Sequence, residues 1–276
     1  AKGNRAKAYL WCLEARCPET GWMVPLSPTW TVSKTRNAIA RLKPDPQNKR
    51  FDIEVVSGAS KAEMSAAERG TIQDGDMVYM LDGKTYRTPI KPRADDVFQE
   101  RLYAIQWITK ATLNASRQEI WCAAPNDDDL RREQRVEEIV AENLSRWQEE
   151  GLVPDMAIEP GDETTHLFRE RGWTHWHHLF SPRQLLVAAV VHEQIKAMSA
   201  EVQPALCLSL AKMLDWSSKL CRYGTGAARE SITQTFYNQT YNTRVCSQLP
   251  SHRHAEWMRR RKNRLRSMTW RGAVHS

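Results

Sequence analysis

Between Phe180 and Val191 the chain reads FSPRQLLVAAVV, and this stretch restricts the fold more than any other. Ser181 offers a side-chain acceptor just ahead of Pro182, and proline suits the first helical turn because the amide it lacks has no partner there. A helix is therefore expected to begin at Pro182. Its first two turns, Leu185 to Val191, are apolar on most sides, which places the helix inside a larger packed assembly. The run is also far shorter than the roughly 20 residues a membrane-spanning helix needs. The polar start AKGNRAKAYLW has no signal-peptide apolar stretch, so the expectation is a cytoplasmic protein with no membrane partner. With 41% hydrophobic residues in 276, the chain can bury a real core. Six cysteines (positions 12, 17, 122, 207, 221 and 246) contain no C-x-x-C pair, and reduced thiols are expected.

Around this helix three regions are expected. Residues 1–92 read as a β-rich subdomain: GWMVPLSPTWTV, RFDIEVVSG and DMVYMLDGKTYRTPI carry β-branched or aromatic runs between turn residues. The Asp82-Gly83 pair predicts a hairpin. SGASKAEMSAAERGT predicts a helical insert stopped at Gly70. Residues 93–249 read as mainly helical. Asp95 and Asp96 are expected to cap a helix from Val97 whose face carries Phe98, Leu102, Ile105, Ile108 and Leu113. A second runs from NDDDL with Val136, Ile139, Val140, Leu144 and Trp147 on one side. Beyond the Pro182 helix, Pro204 predicts another, ended by Gly224.

Residues 250–276 form a basic tail. They hold eight Lys or Arg, including Arg259, Arg260, Arg261, Lys262 and Arg264, against Glu256 alone. That accounts for the whole +7; the other 249 residues balance 32 basic groups with 32 acidic ones. Any electrostatic attraction to nucleic acid is expected to come from this tail.

Candidate chemistry is sparse. In GWTHWHHLF, His175 and His177 share a face if the segment is extended, and His166, His192 or Glu163 could complete a zinc shell for a metal-dependent hydrolase. The alternative, and the expectation, is a groove wall at the start of a buried helix with no metal bound. Cys12 and Cys17 in RCPETGWMVP resemble the first knuckle of a zinc ribbon, but no cysteines fall where a second knuckle belongs, so a degenerate ribbon held by packing is expected. Asp127, Asp128 and Asp129 suit a helix N-terminus. The chain has no G-x-S-x-G, P-loop or H-E-x-x-H.

Five segments, NRAKAYLWCLEARCPETGWMVPL, DVFQERLYAIQWI, EGLVPDMAIEPGDETT, GWTHWHHLFSPRQLL and KLCRYGTGAARESITQTFYNQ, are together similar to the central region of the large adenine-specific DNA methylases of bacteria, including those of phage-defence and restriction-modification systems. The likeness spans roughly residues 3 to 243. It implies an α+β fold: a zinc-ribbon-like subdomain, then helices packed on a Rossmann methyltransferase core. In that family a glycine motif for S-adenosylmethionine precedes this region and a D-P-P-Y type motif follows it. Neither F-x-G-x-G nor D-P-P with an aromatic residue occurs here, so catalysis by this chain alone is not expected.

The resemblance places Ser181, Arg183, Gln184, Arg222, Arg229 and Asn238 near the cofactor or DNA groove of the complete enzyme. Glu230 and Ser231 complete its R-E-S segment. DNA is the implied partner, along with the missing methyltransferase core or other defence proteins. A stand-alone nucleic-acid-binding module that uses the basic tail is the alternative.

Overall fold

The computed structural model describes residues 3–90, 98–162, 164–221, 223–225, 230–235 and 244–248. In chain order the elements are β1 (Arg5–Arg16), β2 (Met23–Leu26), β3 (Thr31–Ser33), β4 (Ala38–Asp45), β5 (Arg50–Val56), α1 (Lys61–Ala67), β6 (Ile72–Gln73), β7 (Asp76–Leu81), β8 (Lys84–Pro89), β9 (Gln99–Ile108), β10 (Ile120–Ala123), α2 (Asp127–Glu149), α3 (Thr165–Arg171), α4 (Pro182–Lys196), α5 (Gln203–Asp215), β11 (Tyr223–Thr225), β12 (Glu230–Ile232) and β13 (Arg244–Gln248). The fold is α+β. An eight-stranded mixed sheet runs β10-β9-β1-β2-β5-β4-β3, with β13 also paired to β1.

β1 is the centre because its two faces bury different side chains. Ala8, Leu10 and Cys12 enter one core with Trp30, Val32 and Tyr103. Tyr9 joins Leu102, Ile105 and Trp107 in another, and Leu13 and Ala15 pack beneath β7 against Phe51, Met77 and Tyr79. One edge of β1 pairs with β9 along most of its length. The other is shared: Ala8 to Cys12 pair with β13, and Leu13 to Arg16 with β2. Cys12 and Cys17 lie in separate cores, with Cys17 Sγ 3.9 Å from Thr88 Oγ1, so the two do not meet as a ribbon knuckle.

The expected helix from Val97 is corrected. Residues 99–108 are the strand β9, antiparallel to β1, and Leu102 to Ile108 are all buried. A strand covered on both faces loses its polar alternation and reads as a continuous apolar run. The helix-like spacing of Leu102, Ile105 and Ile108 was a coincidence within that run. Asp95 and Asp96 lie outside the described residues. Because β9, β10 and β13 join the sheet, position 92/93 does not divide strands from helices.

Other expectations match. Asp82 (φ 49°) and Gly83 (φ 75°) turn β7 into β8, the two positive angles a tight primed turn needs. Ser181 caps α4 as expected, in a box completed by Gln184, and the structure adds a Ser60–Glu63 box for α1 that the sequence reading does not single out. α2 is capped by Asn126 with Asp129, leaving Asp127 and Asp128 in the first turn, where the helix dipole favours them. Val136, Val140 and Trp147 of α2 meet Leu185 and Ala189 of α4; α4 meets α5 through Ile195, Leu210 and Met213.

α5 is shorter than expected and ends at Asp215, with Gly224 lying in β11. The Asp215 carbonyl accepts from the Thr235 amide at 2.7 Å and the Thr235 hydroxyl at 2.8 Å, which satisfies an orphan helix-end acceptor from outside. Among the described residues no helix is long and apolar enough to cross a membrane.

Gly70 generates a test of this packing. A Cβ there would sit 1.9 Å from the Ser27 carbonyl oxygen and 2.4 Å from the Pro28 carbonyl carbon. Gly70→Ala is expected to cost about 2–3 kcal/mol by forcing backbone apart, measured by urea unfolding. A change under about 0.5 kcal/mol, typical of a neutral surface site, would contradict the close approach.

Candidate functional site

The N-terminus of α4 is where the helical half meets the sheet. Ser181 holds it in a reciprocal box: the Ser181 amide donates to Gln184 Oε1 at 2.8 Å, and the Gln184 amide donates to Ser181 Oγ at 3.4 Å. Arg183 reaches across to the buried Glu133 of α2. Its Nε lies 3.0 and 3.2 Å from the two carboxylate oxygens, and its Nη2 lies 2.5 Å from Oε1. The same guanidinium stacks 4.5 Å from the ring centroid of Tyr9 on β1. Burial raises the Tyr9 phenol above its ordinary pKa, against the pull of Arg183. One arginine thus joins α2, α4 and β1, and its charge is matched locally.

The histidine segment leads into this joint. Gly172 ends α3 in the left-handed region at φ 64°. The chain then pairs Ala157 with His175 and makes a 3-10 turn over Trp176–Leu179. The rings of His175, His177 and His178 lie within 4.4 to 5.7 Å of one another, centroid to centroid. Each Nδ1 is occupied: His175 with the Thr174 hydroxyl at 2.9 Å, His177 with the Gln148 amide at 3.3 Å, His178 with the Thr174 backbone N–H at 3.1 Å. His192 stands apart, its Nδ1 donating to the Leu152 carbonyl at 3.2 Å. Among the described residues no group of three or more His, Cys, Asp or Glu side chains is arranged to hold a metal ion. Glu163 and the His166 side chain lie outside the described residues.

A second polar cluster was not found by reading the sequence. Glu230 of β12, whose side chain is 7% exposed, accepts from Arg36 at 2.9 Å, from Thr35 Oγ1 at 2.8 Å and from Ser33 Oγ. Gln106 of β9 donates to Tyr223 Oη at 2.6 Å and lies 3.5 Å from Glu230. Burial pushes the Glu230 carboxyl up, but the Ser33 and Thr35 hydroxyls and the Arg36 charge outweigh it and hold the pKa below the ordinary value. Cys122 beside it is raised to about 11 by burial. The signal available in sequence was the R-E-S segment, but its acid pairs with Arg36, 194 positions away.

Of the predicted site residues, Ser181, Arg183 and Gln184 come together at the α4 joint. Arg222, Arg229, Asn238, Arg259, Arg260, Arg261, Lys262 and Arg264 lie outside the described residues. No family model matches the chain, and no curated protein or solved structure matches it significantly.

The histidines generate a pH prediction. Burial, then the neighbouring rings, hold His177 and His178 below the ordinary imidazole value; Lys219 adds to this for His178. A depressed folded pKa means that their stabilisation is present above the unfolded value near 6.5 and is lost as pH falls through the folded pKa. Tm is expected to drop as pH falls below about 6.5, and His177→Gln should shrink that drop. An identical pH profile in the variant would contradict the assignment.

Proposed function

We propose that this chain is a non-catalytic segment of an S-adenosylmethionine-dependent, adenine-specific DNA methyltransferase, and that it supports the catalytic core and positions it on DNA. The reading is carried by the place of the SPRQ residues. Ser181 and Gln184 cap α4, and Arg183 binds Glu133 and Tyr9. A motif spent on joining three elements suits a scaffold. The cofactor would be held by the methyltransferase core, not by this chain.

The α4–α5 pair supplies the contact in this reading. Val190 is 47% and Leu208 72% exposed on helices whose other sides are packed. Apolar surface of this kind is suited to burial against another domain, here the Rossmann core. The basic tail would add phosphate contacts, each steepening the salt dependence of DNA binding.

Incubated with labelled S-adenosylmethionine and plasmid DNA, the chain alone should leave adenine unlabelled. Co-expressed with the polypeptides encoded immediately on either side of it, the chain should coelute with them and label should appear. Val190→Asp with Leu208→Asp should reduce coelution at least tenfold. Labelling by the chain alone, or absence of coelution, would contradict the reading. Deleting residues 250–276 should weaken DNA binding at low salt and flatten its salt dependence. Unchanged affinity would remove the tail from the DNA contact.

A further inference from the structure

Between α2 and the sheet lies a cavity of about 480 Å³ that the methyltransferase reading leaves unused. Trp11, Leu102 and Leu130 give it apolar walls, Glu100, Glu133 and Glu137 line it from β9 and α2, and Arg50, Asp52 and Arg101 line it from β5 and β9. Cations nearby are already committed. Arg183 binds Glu133, Lys219 binds Glu100 at 2.7 Å, and the buried Glu14 takes Arg101 at 2.7 Å and Arg50 at 3.9 Å. Glu137 has no ion-pair partner among the described residues. Partial desolvation at the cavity wall, then the charges of Glu133 and Glu100, raises its carboxyl above the ordinary value. An arriving cation would relieve that crowding.

We propose that this cavity binds a small aliphatic amine or guanidine, with the cationic head at Glu137 and the stem against Trp11 and Leu130. The volume falls within the range of about 300–1,000 Å³ common for small-molecule sites. A charge-assisted bond to a carboxylate orients the head, the indole face attracts the same charge, and methylenes cover the apolar wall. The site uses no residue of the basic tail, and the proposal is independent of the methyltransferase reading.

Isothermal titration calorimetry of the full chain with agmatine, at about 0.15 M salt to suppress loose surface pairing, tests the proposal. The expected result is saturable one-to-one binding, weakened at least tenfold in Glu137→Gln. Glu142→Gln, on the same helix but not lining the cavity, should bind as the unaltered chain does. Both positions are exposed, and an unchanged Tm verifies that each variant folds. No binding by the unaltered chain, equal affinity in Glu137→Gln, or equal weakening in Glu142→Gln would overturn the proposal.

Discussion

The ion pair between Arg183 and Glu133 is the constraint on which the rest depends. Its side chains are only 17% and 10% exposed, so neither charge can stay there without the other. The pair fixes the start of α4 against α2, and the Tyr9 contact fixes both against the central strand. The apolar interface of α2 with Leu185 and Ala189 then follows one and two turns along α4. Apolar burial supplies most of the cohesion, but it is non-directional. The guanidinium fork supplies the geometry.

A second lock works at the opposite face of β1. Glu230 draws the late ribbon β11–β12 onto β3 and the turn after it through Ser33, Thr35 and Arg36, and lies 3.5 Å from Gln106 of β9. Thr235, a few residues on, closes the end of α5. β13 then returns to pair with β1. Early and late parts of the chain thus share one sheet, and the helices are inserted between them. This explains why a division into a β-rich front and a helical back does not describe the molecule.

Local signals were legible in the sequence wherever the determinant was local. Asp82-Gly83 and Ser181-Pro182 each announce a turn or cap within four residues, and each forms; the Ser60–Glu63 box is equally local but was not singled out. β9 was misread because burial on both faces erases the period of two that marks a half-exposed strand. For Glu230 and Arg183 the residues themselves were picked out, but their partners were not. Arg36 and Glu133 lie far away in sequence, and no spacing rule connects them. The histidine segment was read as a wall at the entrance to a buried helix. His177 is buried there, with Gln148 at its Nδ1.

The most direct test of this account is a double-mutant cycle on Arg183→Met and Glu133→Gln in the full chain, followed by urea unfolding. Each single change should destabilise by about 3 kcal/mol because it leaves a buried charge or acceptor without its partner. The pair should show a coupling energy of about 2–3 kcal/mol. A coupling below about 0.5 kcal/mol, the value of an exposed pair, would mean that the α4 joint does not hold the helices to the sheet.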